Sequence, residues 1–78
     1  MRELTKRIII DEGICNGKPV IRETRITVQS ILEYLSAGDS VEDVLEAYPS
    51  LSKEDVLECI RFAANLMNRK FTIDPTAA

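Results

Sequence analysis

Three stretches of the chain repeat an apolar residue at i, i+3, i+4 and i+7, the spacing that buries one face of a helix. Val28, Ile31, Leu32 and Leu35 form the first, and Val41, Val44, Leu45 and Tyr48 the second. In the third, Val56, Leu57, Ile60, Ala63, Ala64 and Met67 fall on one side of a wheel drawn at about 100° per residue. Glu54, Glu58, Arg61 and Asn65 lie opposite. Before Thr27 the pattern changes to short β-branched runs: Ile8-Ile9-Ile10 inside Lys6–Asp11, then Val20-Ile21-Arg22, then Arg25-Ile26-Thr27-Val28. These predict two or three short strands joined by tight turns. Asn16-Gly17 is the strongest turn signal between them, because both residue types tolerate positive φ.

Polar punctuation sets the helix ends. Thr27 is a candidate N-cap for the first helix, and Gly38 a stop that takes the left-handed conformation cheaply. Ser40 caps the second, with Glu42 and Asp43 in the first turn where the helix dipole favours negative charge, and Pro49 ends it. Ser52 caps the third, Asp55 stands in a capping-box position, and Leu51 is placed to staple against Val56. This helix is expected to run to about Lys70. Together these elements predict a mainly α fold, a three-helix helix-turn-helix bundle with a short N-terminal β-hairpin element. The expected organisation is a single domain over residues 1–73, with the β-element at 1–27, the bundle at 28–73 and a tail at 74–78.

Composition narrows the function. A chain of 78 residues builds one modest core, so a partner subunit is an expected source of stability. There is no histidine, and Cys15 and Cys59 lack metal-ligand spacing, so neither a metal, a cofactor nor the usual nucleophile–base pairs are expected. Cys15 lies near Lys18, which would lower a thiol pKa, yet an ordinary turn cysteine explains it as well. With no apolar leader in Met1–Thr5 and no membrane-spanning run, a reducing cytoplasmic setting without a disulfide is expected. The reading is a binding module, not an enzyme.

Charge is uneven: residues 1–32 carry a net +2 and residues 33–78 a net −5. That split suits two partners on two faces, and equally an ordinary solvated surface. The third helix starts with Glu54 and Asp55, which would repel phosphates in the usual helix-turn-helix docking mode. The basic groups of the β-element, Lys6, Arg7, Lys18, Arg22 and Arg25, are therefore the better nucleic-acid candidates. Cys59, Phe62 and Leu66 widen the apolar arc of the third helix beyond the need of one small core, and Phe71 and Ile73 continue it. Short Ile- and Val-rich strands are marginal alone, so a homodimer through Ile8, Ile10, Val20 and Ile26 is expected.

The run Ile14-Cys15-Asn16-Gly17-Lys18-Pro19-Val20-Ile21-Arg22-Glu23-Thr24-Arg25-Ile26-Thr27-Val28 resembles the signature of the small prokaryotic family called domain of unknown function 433. The likeness continues through Ala37–Leu45, Tyr48–Val56 and Ala63-Ala64. It implies a homeodomain-like helix-turn-helix domain preceded by a small β-element. It also implies an antitoxin of a type II toxin–antitoxin pair, since many members are encoded beside PIN-like ribonuclease toxins. On that resemblance Lys18, Arg22 and Arg25 are expected to enter the toxin's acidic site, with Cys59, Phe62, Leu66, Phe71 and Ile73 as its apolar interface and operator DNA as a second ligand. A stand-alone DNA-binding regulator and a structural dimerisation module are the alternatives. One position departs from the pattern: Glu23 stands where the family has glycine, a residue that serves a tight turn.

Overall fold

The computed structural model of the chain describes residues 1–68. Its helices begin where the polar punctuation predicts. Helix α1 (Val28–Ser36) is capped by Thr27, whose hydroxyl accepts from the Ser30 amide at 3.0 Å. It ends in a Schellman turn, with the Gly38 amide donating to the Leu35 carbonyl at 3.1 Å and the Asp39 amide to the Tyr34 carbonyl at 3.2 Å. That closure needs a left-handed residue, and Gly38 takes φ +100°. Helices α2 (Val41–Ala47) and α3 (Lys53–Leu66) each open with a full capping box, Ser40 with Asp43 and Ser52 with Asp55.

The β-element is a three-stranded antiparallel sheet in the order β1 (Arg2–Glu3), β2 (Ile8–Ile10), β3 (Val20–Ile21). Its third strand comes from the extreme N-terminus and not, as the β-branched pattern suggests, from Arg25–Val28. That later segment adds only one bridge, Thr27 to Val20. The reason is local: Thr27 is the α1 cap, so the chain turns into the helix after a single pairing. Between β1 and β2 the Thr5 hydroxyl accepts the amides of Arg7 at 3.3 Å and Ile8 at 3.1 Å, which holds the reversal closed.

Sheet and helices share one core. Ile8 and Ile21 pack from the sheet, Val28 and Ile31 from α1, Val44 from α2, Leu51 from the turn ahead of α3, and Val56 and Cys59 from α3 itself. The helix-turn-helix order α2–turn–α3 is thus backed by α1 on one side and by the sheet through Ile8 and Ile21.

The rotation of α3 corrects one expectation. Val56 and Cys59 are its buried residues, with Phe62 packed half-buried beside the core. Ile60 is 40% exposed and Met67 66%, so the apolar arc is turned away from the predicted core line. An ion pair is consistent with this orientation: Arg7 of the sheet donates to the Asp55 carboxylate at 3.0 Å, so Asp55 and, one turn on, Cys59 face inward.

Candidate functional site

Two concave surfaces gather the residues with chemistry to offer. The first is a cleft of about 480 Å³ between the sheet and the start of α3, lined by Lys6, Arg7, Arg22, Glu23, Thr24, Ser50 and Asp55 together with Ile21. The second is an apolar groove of about 360 Å³ between α1 and α3, lined chiefly by Pro19, Val28, Leu32, Phe62, Ala63 and Leu66.

The rim of the cleft is built by a strained turn. The Thr24 amide donates to the Ile21 carbonyl at 3.0 Å, closing a four-residue turn whose third residue, Glu23, takes φ +64°. With Arg22 outside the positive-φ region this is a type II turn, which favours glycine at that third position. The glycine–glutamate departure noted in the sequence therefore falls on a backbone position that penalises a side chain. Thr24 compensates locally: its hydroxyl donates to the Ile21 carbonyl at 2.7 Å and accepts the Ile26 amide at 3.0 Å.

The arginines of the cleft are engaged. Arg22 pairs with Glu3 and donates through Nε to the Lys6 carbonyl at 3.1 Å. Arg7 pairs with Asp55, whose side chain is 13% exposed. Burial alone would raise the Asp55 carboxyl, but the Ser52 amide, the Arg7 guanidinium and the Ser52 hydroxyl outweigh it and hold the carboxyl below its ordinary 3.8. Glu54 is met by Arg61 at 3.4 Å, and Arg61 also reaches Glu58 at 3.3 Å. The acidic opening of α3 is thus neutralised within the chain, a feature that spacing along the sequence does not reveal because Arg7 lies 48 residues from Asp55.

The remaining basic candidates separate. Lys6 is exposed at the cleft. Lys18 sits at the other end of the sheet, donating to Gln29 of α1 at 3.3 Å. Arg25 is exposed, and its carbonyl accepts the Cys15 thiol at 3.3 Å. Cys15 and Asn16 take φ +50° and +57°, so the Asn16-Gly17 turn forms with an additional left-handed residue before it. The cleft thus gathers Lys6, Arg7 and Arg22, and Lys18 and Arg25 lie outside its lining.

The apolar candidates divide similarly. Phe62 and Leu66 line the groove, whereas Cys59 is wholly buried and offers no surface. Burial, reinforced by the charges of Asp55 and Glu58, pushes the Cys59 thiol up to about 12, so it is an inert core residue. Phe71 and Ile73 lie outside the described residues. At the expected two-fold contact, Ile8 and Val20 need correcting: both are wholly buried within the chain, and only Ile10 and Ile26 keep partial exposure. Ile8 is taken up by the shared core, whereas Val20, outside that cluster, is closed off within the chain opposite the buried Ile9 of β2. No helix among the described residues is long and apolar enough to cross a membrane.

A helix-turn-helix domain with an N-terminal antiparallel sheet is the class this architecture defines. Residues 8–63 match the family described as protein of unknown function (DUF433), and the chain belongs to that family. A crystal structure of a DUF433 member from Anabaena variabilis ATCC 29413 superposes with a TM-score of 0.73 at 32% identity, over 80% of this chain and 61% of that one. Uncharacterized protein y4eO of Sinorhizobium fredii (strain NBRC 101917 / NGR234) is 46% identical over 43 residues, 55% of this chain. The chain spans only 20% of that protein's length.

Proposed function

We propose that this protein is a non-enzymatic antitoxin of a type II toxin–antitoxin pair, acting in the cytoplasm to bind and neutralise a PIN-like ribonuclease. The observation that carries the reading is the groove between α1 and α3, where Leu32, Phe62 and Leu66 line an almost wholly apolar channel. A channel of this kind suits the apolar face of a partner helix. Exposed Lys6 and Arg25 add cations for an acidic nuclease site, while Arg22 would first have to leave Glu3. The test is co-purification with a PIN-like nuclease encoded beside the gene. Leu66→Glu is expected to abolish capture and restore RNA cleavage while leaving circular dichroism unchanged. Full neutralisation by that variant would place the partner elsewhere.

Operator binding is a second reading, favoured by the pairing of Asp55 with Arg7 and of Glu54 with Arg61. These pairs reduce the repulsion expected between the start of α3 and phosphates. A gel-shift series separates two docking modes. Loss of binding on Arg22→Ala with Arg25→Ala supports the β-element as reader, and loss on Lys53→Ala supports α3.

A further inference from the structure

The helix α3 carries a second apolar face that neither the core nor the α1 groove uses. Leu57, Ile60, Ala64 and Met67 fall within an arc of about 80°, between the buried line of Val56 and Cys59 and the charged line of Glu54, Glu58 and Arg61. Ala64 is exposed like Ile60 and Met67, and Leu57 is half-buried but lies outside the core cluster. Among the described residues Ile60, Ala64 and Met67 are left exposed, and only Leu57 at the start of the stripe is partly covered by the chain.

We propose that the stripe is the contact of a homodimer in which α3 packs antiparallel against its own copy about a two-fold axis. The spacing of the four residues identifies the occupant. It runs three, four, three, and therefore reads the same from either end of the helix. Under a two-fold axis between Ile60 and Ala64, Ile60 meets the partner's Ala64 and Leu57 meets the partner's Met67. Each layer then pairs a larger side chain with a smaller or more pliable one, the condition for interdigitation without a void. The pattern is also that of a heptad seam, with apolar residues alternating three and four apart.

Charge supports the same direction. Antiparallel pairing sets the acidic first turn of one α3, with Glu54 and Asp55, toward the C-terminal end of the other. Opposed helix dipoles favour that arrangement, whereas parallel pairing would align like ends. Arg61 comes near its own copy across the axis, but Glu54 and Glu58 already hold it at 3.4 and 3.3 Å. One helix pair lies at the low end of stable interfaces, below about 1,200 Å² in total, so the dimer is expected to dissociate in the micromolar range.

The experiment uses the full chain alone, so its outcome is independent of any nuclease or operator. Sedimentation equilibrium at high micromolar concentration is expected to give twice the chain mass, and Ile60→Glu to give the monomer mass with unchanged circular dichroism. A monomeric wild type, or a dimer that survives Ile60→Glu, overturns the proposal. Should Ile60→Glu fail to fold, register-specific cross-linking decides instead. In a Cys15→Ser background, chains carrying Leu57→Cys are mixed with chains carrying Met67→Cys under mild oxidation. A covalent heterodimer from the mixture, with no product from either chain alone, is the expected result. Linkage of Leu57→Cys to itself, or no linkage at all, overturns it.

Discussion

Glu23 holds a φ of +64° at the third position of the type II turn that follows β3, where an L-residue is crowded against its own backbone. Glu23→Gly removes that crowding and is expected to stabilise the fold by on the order of 1 kcal/mol. For a chain this small that corresponds to a rise in Tm of about 4–8 °C, read by thermal melting. An unchanged or lowered Tm would show that the turn is relaxed by contacts of the glutamate itself. Asp55 gives the second prediction at this scale. A carboxyl with a depressed folded pKa stabilises the fold above its unfolded value and loses that stabilisation as pH falls through the folded one. Arg7→Met, which keeps most of the stem, is therefore expected to cost about 0.5–1 kcal/mol near neutral pH, the half-exposed arginine leaving the pair partly screened. The gap between variant and wild type narrows as pH drops below 3.8, the ordinary value for the group. Denaturant melts at several pH values check both the size and the slope. The turn at Glu23 was legible in the sequence through its departure from glycine, whereas the Arg7–Asp55 pair was not, because nothing local links two residues 48 positions apart.

Caps and stops carry the element scale. Thr27, Ser40 and Ser52 cap as their positions predict, and Gly38 closes α1, because capping is a matter of a few consecutive residues. The facing of α3 was not legible in the same way. Nine apolar residues between Val56 and Met67 cover too much of the wheel for periodicity alone to choose the inward side. Tertiary packing makes the choice, with Asp55 paired to the sheet and Phe62 beside the core. Truncation at two positions measures that choice. Phe62→Ala is expected to cost about 2 kcal/mol, since the ring is half-buried against the core, and Ile60→Ala under about 1 kcal/mol in the monomer. Equilibrium unfolding below the concentration at which the chain associates provides the comparison. The reverse order would restore the sequence-based orientation. The candidate partner face inherits this result: Phe62 and Leu66 border the groove, while Cys59 is core.

At the scale of the molecule, the division into a β-element and a helical bundle is one of sequence pattern and not of stability. Ile8 and Ile21 stand in the same buried cluster as Ile31, Val44 and Val56, and Arg7 ties the sheet to the first turn of α3. Neither half closes a core alone. Helix α2 has seven residues and α1 nine, lengths that are marginal in water without tertiary contacts. A three-stranded sheet whose strands are two, three and two residues long is weaker still. The whole chain is therefore expected to melt in one cooperative transition, with near- and far-ultraviolet dichroism changing together. A fragment beginning at Val28 is expected to lack that transition and to show little helix, although it holds all three helical segments. Loss of Ile8 and Ile21 would leave Ile31, Val44 and Val56 facing water, and a domain this small has no margin to absorb that exposure. Dichroism and melting of the two chains, side by side, check the expectation. A fragment with native-like helicity and its own sharp transition would make the sheet an appendage. Its basic cleft would then have to be explained without a structural role for Arg7.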